Sequence, residues 1–223
     1  MIVVFEKEYL KTLYVSGKDD KKHRYQPEVI RGYQKAVKLI ISSKDINVLM
    51  RYNSLNFEAL KGDKTGTYSV RANGKYRVEF TLVETQSEPI ITLCSIIELS
   101  NHYKQIKIIQ IEGIRSDMIA NNLMPSSPIH PGEILKDEIE SRGISQKMLA
   151  NETGISYTIV NEVMNGKRQL TPEYALLIAK ALDIDADDLM RIQIDYTKES
   201  IMRNNSFRAK LDKIRKIAAS VTL

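Results

Sequence analysis

The stretch Thr67-Tyr68-Ser69-Val70-Arg71-Ala72-Asn73-Gly74-Lys75-Tyr76-Arg77-Val78-Glu79-Phe80 decides how the first hundred residues fold. Asn-Gly between two alternating apolar runs is a strong hairpin signal. Tyr68, Val70 and Ala72 precede it; Tyr76, Val78, Phe80 and Leu82 follow. Both sets must share one face if the sheet covers a core. A two-residue loop pairs Val70 with Arg77 and sends the sets to opposite faces. One more loop residue, with a bulge near Gly74, pairs Val70 with Val78 and restores a single apolar face. That register sets Arg71 opposite Arg77 on the polar face, where like charges repel. Two guanidiniums so placed can grip a phosphate. Glu79, on the same face, offers the alternative of a surface ion-pair cluster.

Working outward, residues 1–6 read as a strand and 7–15 as a helix, with a polar breaker at 16–20. A second helix opens at Pro27, a residue suited to the first helical position. Val29, Ile30, Tyr33, Val37, Ile40 and Ile41 recur along it at helical spacing. Period-two patterning predicts strands over 56–61, 67–72, 75–83 and 89–99. Residues 1–104 are therefore expected to form an α+β domain, an antiparallel sheet with two helices. Residues 105–129 are a junction whose isoleucines suit a further strand over 105–117. Residues 130–223 carry helical signals only and are expected to form an all-α domain.

The chain has 223 residues, enough for two small cores. No apolar run approaches the roughly 20 residues that cross a bilayer, and the start is too short and lacks the basic flank of a signal peptide. The single cysteine, Cys94, sits in an apolar run and suits a reducing, cytoplasmic setting as a buried hydrophobe rather than a nucleophile. Net charge is +5. Residues 1–104 hold 17 basic against 12 acidic side chains, whereas 118–223 hold 14 of each. A basic excess favours an anionic partner such as nucleic acid, or is simply a solvated surface.

The run Leu60-Lys61-Gly62-Asp63, then Gly66-Thr67-Tyr68-Ser69-Val70-Arg71, then Asn73 to Phe80, and the ending Glu98-Leu99-Ser100-Asn101-His102-Tyr103, resemble the HigB branch of the RelE toxin superfamily. The resemblance spans about 100 residues. It implies a ribonuclease that cuts messenger RNA on the ribosome without metal or other cofactor. In that chemistry the ribose 2′-OH attacks the adjacent phosphate, so the site needs a base, cations for the developing charge, and an acid for the leaving 5′-oxygen. Arg77 is the first candidate for charge stabilisation, with Arg71 and Lys61 beside it. His102 is the candidate acid or base, since imidazole titrates near neutrality. Tyr103 is placed to stack on a base or position a phosphate. Two positions depart from the family pattern. Glu58 stands where a histidine is often found, and is itself able to act as a base; Ser100 and Asn101 stand where the family ending often has other residues.

Further on, Ser145 is expected to cap a helix over 146–152, Thr153-Gly154-Ile155 to make the turn, and Ser156 to cap a helix over 157–164. Ile159, Val160 and Val163 face inward. Asn165-Gly166 closes that helix. Thr171-Pro172-Glu173 opens another, with Ala175, Leu176, Ile178, Ala179 and Leu182 as its buried stripe. With His130-Pro131-Gly132-Glu133-Ile134-Leu135 and Asn165-Gly166-Lys167-Arg168, this order is similar to the Cro/cI-type helix-turn-helix of HigA antitoxins. The resemblance implies that Tyr157, Thr158 and Asn161 reach base edges in the major groove, and that Ser145, Gln146, Ser156, Lys147, Lys167 and Arg168 line the DNA-facing surface, largely against phosphates. Asn161 has the alternative of a structural polar contact. The implied partner is operator DNA with an inverted repeat, bound by a homodimer through the C-terminal part. The tail from Ile192 reads as an amphipathic helix with Phe207, Leu211, Ile214 and Ile217 on one stripe, able to dimerise, cover the N-terminal part or touch phosphates.

Two functions stay open at this level. One is a fused toxin–antitoxin in which the C-terminal part restrains the ribonuclease, within the chain or between chains, and represses its own operator. The other is a transcription regulator whose toxin-like part is catalytically inactive.

Overall fold

The computed structural model describes residues 1–19, 22–84, 92–101 and 115–221, the last six as backbone. A five-stranded sheet runs in the order β1-β5-β4-β3-β2. β2 (Glu58–Ala59), β3 (Thr67–Arg71), β4 (Arg77–Glu84) and β5 (Thr92–Ser100) pair antiparallel in series. β1 (Ile2–Phe5) pairs with β5 in parallel, so the sheet is mixed rather than wholly antiparallel. The cause is the connection: the chain leaves β1 through α1 (Glu8–Ser16) and α2 (Pro27–Ser42), and a long crossover permits parallel return. The α+β class holds. A third helix, α3 (Ile46–Met50), went unforeseen because five residues show too little periodicity; its only sequence mark is Asp45, whose carboxylate caps the Val48 amide at 3.0 Å.

The hairpin has the longer-loop register. Val70 faces Val78 and Arg71 faces Arg77. The Ala72 amide donates to the Tyr76 carbonyl at 2.8 Å, leaving Asn73, Gly74 and Lys75 as the loop. The expected bulge near Gly74 is not what closes it, since Gly74 does not take a left-handed conformation. Asn73 Oδ1 instead accepts the Lys75 and Tyr76 amides at 2.9 and 2.8 Å, the short polar side chain standing in for a backbone turn. The ladder irregularity lies between β4 and β5, at Glu79/Phe80. The strand expected over 56–61 shrinks to Glu58–Ala59, because Asn56 is left-handed (φ 41°) at the end of a 3-10 turn and Lys61 opens another.

Val70, Val78, Phe80 and Ile96 meet Val29, Tyr33, Val37 and Ile40 of α2 in the core. Close approach at Gly32 makes this possible: a Cβ there would lie 1.9 Å from the Ala72 carbonyl oxygen. The approach of the hairpin tip to α2 thus depends on a residue with no Cβ at this position.

The C-terminal part is helical: α4 (Pro131–Ser141), α5 (Gln146–Thr153), α6 (Tyr157–Met164), α7 (Pro172–Leu182), α8 (Ala186–Met202) and α9 (Asn205–Val221). Leu176 departs from the expected α7 stripe and is 63% exposed. Ala175, Ile178, Ala179 and Leu182 form the buried row, and Leu176 lies about 100° round the helix from it. The tail is two helices, not one. The break falls at Arg203-Asn204, where Asn204 Oδ1 accepts the Ser206 and Phe207 amides and starts α9. Leu189 and Ile192 of α8 are buried, whereas Phe207, Leu211 and Ile214 of α9 are exposed; the Ile217 side chain lies outside the described residues.

The two parts pack together through α2. Arg31, Lys35 and Lys38 recur at i, i+4 and i+7 and share one helix face. Arg31 pairs with Glu133 of α4 at 2.5 Å, Lys35 with Asp137 of α4, and Lys38 with Asp195 and Glu199 of α8 at 2.8 and 2.9 Å. Glu138, fully buried, accepts the Asn53 and Ser54 amides at 2.8 and 3.0 Å and the Arg142 guanidinium at 2.7 Å. Ser43 donates to Asp188 of α8 at 2.8 Å. Burial pushes the Asp188 carboxyl up to about 6, with Ser43 opposing. Of the junction, residues 105–114 lie outside the described residues. Residues 115–122 form short 3-10 turns along the exposed edge of β1, where Ile119 bridges Val4 and Asn121 Oδ1 accepts the Val3 amide at 2.7 Å.

Gly32→Ala is expected to destabilise the chain by about 1–3 kcal/mol, the usual cost of overpacking. Urea unfolding midpoints of parent and variant check this; an unchanged midpoint means the hairpin tip yields freely.

Candidate functional site

On the polar face of the hairpin the two arginines differ. Arg71 is exposed. Arg77 is largely covered, its side chain 19% exposed, and its guanidinium is held from three sides. Nε donates to Ser69 Oγ at 2.8 Å, and Nη2 donates to the Asn56 and Ser69 carbonyls at 2.6 and 3.2 Å. Nη2 also lies 3.4 Å from Glu58 Oε2, and Asn56 Nδ2 steadies Glu58 Oε1 at 2.9 Å. The left-handed turn at Asn56 is what aims its carbonyl at Arg77. The structure thus brings Arg77, Glu58 and Arg71 together, with Lys61 exposed on the following loop. His102 and Tyr103 lie outside the described residues; the strand that leads to them ends at Ser100, directly opposite Arg77.

Glu79 is not the partner of Arg77 that its place on the strand suggested. It is buried and binds Lys64 Nζ at 2.6 Å and Ser100 Oγ at 2.5 Å. A carboxylate removed from water needs hydrogen-bond partners, and Lys64 from the turn Gly62–Lys64 supplies one. This network ties together the loop of Lys61, the strand of Arg77 and the end of β5. Ser69, Asn56 and Lys64 were missed from sequence, and Ser100 stood out only as a departure from the family pattern; Ser69 and Ser100 are small polar residues on strands, whereas Asn56 and Lys64 sit in turns. Cys94 is buried in the core and its thiol is pushed up by burial, so it packs as a hydrophobe.

In the helical part, Ser145 Oγ accepts the Met148 amide at 3.1 Å and Ser156 Oγ accepts the Ile159 amide at 3.4 Å. Gly154 turns the chain in the left-handed region (φ 70°). The first turn of α6 presents Tyr157 and Thr158 to solvent, and Lys147, Lys167 and Arg168 are also exposed. Asn161 Nδ2 donates to Gln146 Oε1 at 2.9 Å, fixing α6 to α5. Arg168 is paired with Glu162 at 2.6 Å. Ile159 is only partly buried, whereas Val160 and Val163 are core.

The His-Pro-Gly-Glu run has a physical explanation. His130 is the N-cap of α4: its Nδ1 accepts the Gly132 amide at 3.0 Å, while Glu133 Oε1 accepts the His130 amide at 3.2 Å. Pro131 fills the first turn. Gly132 is required because a Cβ would lie 2.1 Å from the Val163 carbonyl oxygen of α6. The imidazole packs edge-on against Tyr196, with ring centroids 4.7 Å apart.

Residues 3–90 match the family described as RelE-like toxin of the type II toxin–antitoxin system HigB. Residues 135–189 match a helix-turn-helix family. Virulence-associated protein I of Dichelobacter nodosus is 34% identical over 76 residues, which cover 34% of this chain and 68% of that protein. The chain belongs to the HigB/HigA toxin–antitoxin family. It carries a HigB-like part and, after it, a HigA-like helix-turn-helix part. Among solved structures, an addiction module antidote protein of the HigA family from Coxiella burnetii is 30% identical, covering 39% of this chain and 94% of that one, with a TM-score of 0.36. Antitoxin HigA of Pseudomonas aeruginosa, solved with the higBA promoter, is 30% identical, covering 39% and 90% of the two chains, with a TM-score of 0.34. Among the described residues no helix is long and apolar enough to cross a membrane.

Burial holds the His130 pKa below the ordinary histidine value, against the pull of Glu133 and a backbone hydrogen bond at Arg168. A base whose folded pKa is depressed contributes stability above its unfolded pKa and loses it as pH falls through the folded value. His130→Asn keeps a capping oxygen but does not titrate. Between pH 7.5 and 5 the parent is expected to lose more stability than His130→Asn, read from urea midpoints; equal losses would show that His130 does not titrate on unfolding.

Proposed function

We propose that this chain is a self-contained toxin–antitoxin module. Residues 1–104 act as a metal-independent messenger RNA ribonuclease working on the ribosome. Residues 130–223 bind operator DNA as a homodimer on an inverted repeat and repress their own transcription. Residues 105–129 join them. The observation that carries the reading is the interface itself: carboxylates of the HigA-like α4 and α8 cover the basic face of the HigB-like α2, while the first turn of α6 stays exposed. One chain thus holds the basic face of α2 covered and the first turn of α6 open. Tethering raises the effective concentration of one part near the other to the order of millimolar.

In the proposed reaction a base takes the proton of the ribose 2′-OH, whose oxygen forms a bond to phosphorus. The bond from phosphorus to the 5′-oxygen breaks, and that oxygen takes a proton from an acid. His102 and Glu58 are the proposed proton carriers, Arg77 the stabiliser of the pentavalent phosphorane charge, and Arg71, Lys61 and Tyr103 hold the strand. Ser69 and Asn56 fix the direction of Arg77, which is the preorganisation such a group needs. One observation favours the second reading, a regulator with an inactive toxin-like part: Glu58 already bonds Arg77, a salt bridge that competes with a phosphate.

The deciding assay is messenger RNA cleavage in a bacterial translation extract by the full chain and by Glu138→Lys/Glu199→Lys. That variant breaks the interface from the HigA-like side and leaves residues 1–104 unaltered. The parent is expected to spare the message and the variant to cut it. Adding Arg77→Ala is expected to lower cutting about 100-fold or more, typical for loss of a charge-stabilising donor. A folded variant that cuts nothing would establish the second reading.

For DNA, Tyr157→Ala and Thr158→Ala are each expected to cost about 1–3 kcal/mol of preference for the chain's own upstream DNA over unrelated DNA. Lys167→Ala is expected to weaken both alike and to flatten the salt slope by about 1. Fluorescence anisotropy at several salt concentrations separates the two; a uniform loss at Tyr157 would remove it from base reading.

A further inference from the structure

A cleft of about 610 Å³ lies between α2, the hairpin tip and α4. Arg31 and Lys35 form one wall, Arg71 stands at the hairpin end, and Asp137 and Glu140 face them from α4. Arg31 and Lys35 are about 6 Å apart along the helix axis, one turn, on a single face. Glu133, Asp137 and Glu140 recur at i, i+4 and i+7 along α4, and the first two meet Arg31 and Lys35 in the same order. Arg71 is directly opposite Arg77 in the β3–β4 ladder. Arg71 lines this cleft and also the neighbouring one that holds Asn56, whose carbonyl accepts from Arg77, so the two cavities share Arg71 at the hairpin end. Burial raises the Asp137 carboxyl, with Lys35 opposing, and the Lys35 and Asp137 side chains stay 19% and 39% exposed.

Docking two helices needs no such alignment of charge with a route into the site, since partly exposed ion pairs of this kind contribute little stability. A row of arginine and lysine is what a single-stranded phosphate backbone requires. Each guanidinium or ammonium accepts a carboxylate or a phosphate in much the same geometry.

We infer that Arg31, Lys35 and Arg71 are the track by which the backbone of single-stranded RNA reaches Arg77, and that α4 seals it by placing Glu133, Asp137 and Glu140 where phosphates bind. This rests on the ribonuclease reading above. RNA and α4 compete for the same cations. The HigA-like part restrains its partner by withholding the backbone track, without touching Arg77.

The test measures binding rather than cleavage. The full chain and E133Q/D137N/E140Q are titrated onto a short fluorescent 2′-O-methyl RNA, which lacks the attacking hydroxyl. E152Q/E173Q/D183N, equal in charge but remote from the cleft, is the control. The α4 variant is expected to bind at least about tenfold tighter than both parent and control, with a salt slope steeper by about 2, the release expected for three freed cations on a single strand. Adding R31A/K35A/R71A is expected to abolish the gain. Binding no tighter than the control, or a gain that survives loss of the three cations, overturns the inference. If the triple variant fails to bind its upstream DNA and so is misfolded, D137N alone decides: a gain of about threefold supports the track, and none overturns it. Cleavage of the same strand carrying ribose is read separately. Tight binding without cleavage leaves the track standing and removes the ribonuclease reading alone.

Discussion

The arrangement of the whole molecule depends on the ion pairs that the basic face of α2 makes with α4 and α8. Lys38 is the centre of it. Its side chain is 4% exposed, and two carboxylates one turn apart on α8 converge on its ammonium group. Burial raises the Glu199 carboxyl, with Lys38 opposing. A pair of this kind contributes little net stability against an apolar replacement, but leaving either partner alone is severe. The pair fixes where α8 meets α2, since its two carboxylates and the ammonium group of Lys38 meet only in this alignment of the two helices. Glu138 extends the same logic to backbone, capping two amides of the turn Asn53–Leu55 from across the interface. That turn leads directly to Asn56, whose carbonyl holds Arg77. The interface and the candidate site share a segment of chain.

This geometry assigns the basic excess of residues 1–104 a specific place. Much of it is not a solvated face. Arg31, Lys35 and Lys38 are occupied by the helical part, whereas Lys147 and Lys167, among the exposed cations of that part, flank α6. That the cations of α2 are paired while those beside α6 stay exposed follows from which helices carry the carboxylates: α4 and α8 do, the turn between α5 and α6 does not.

Much of the fold was legible in the sequence because local rules agreed with one another. The hairpin register followed from demanding one apolar face, and it fixed Arg71 opposite Arg77. The limits of α6, the caps Ser145, Ser156 and Thr171, and Pro27 and Pro172 at helix starts all follow from side-chain chemistry within a few residues. What escaped prediction depends on distant partners. The parallel pairing of β1 with β5 joins segments ninety residues apart. Leu176 carries an apolar side chain on a face left exposed among the described residues. The Glu79–Lys64 pair and the carbonyl of Asn56 became visible only once strands and turns were assembled, since a carbonyl has no sequence signature. The α2 stripe was read for its apolar positions; the cations between them gained meaning from carboxylates more than a hundred residues away.

The most direct test of this account is a double-mutant cycle across Lys38 and Glu199, using Lys38→Met, Glu199→Leu and the double variant in urea unfolding of the full chain. Each single variant is predicted to lose about 3–5 kcal/mol, and the double variant to recover most of it, since two apolar side chains replace a buried pair at little cost. Single losses below about 1 kcal/mol with no coupling, the behaviour of a solvated surface pair, would show that the two parts do not dock through α2.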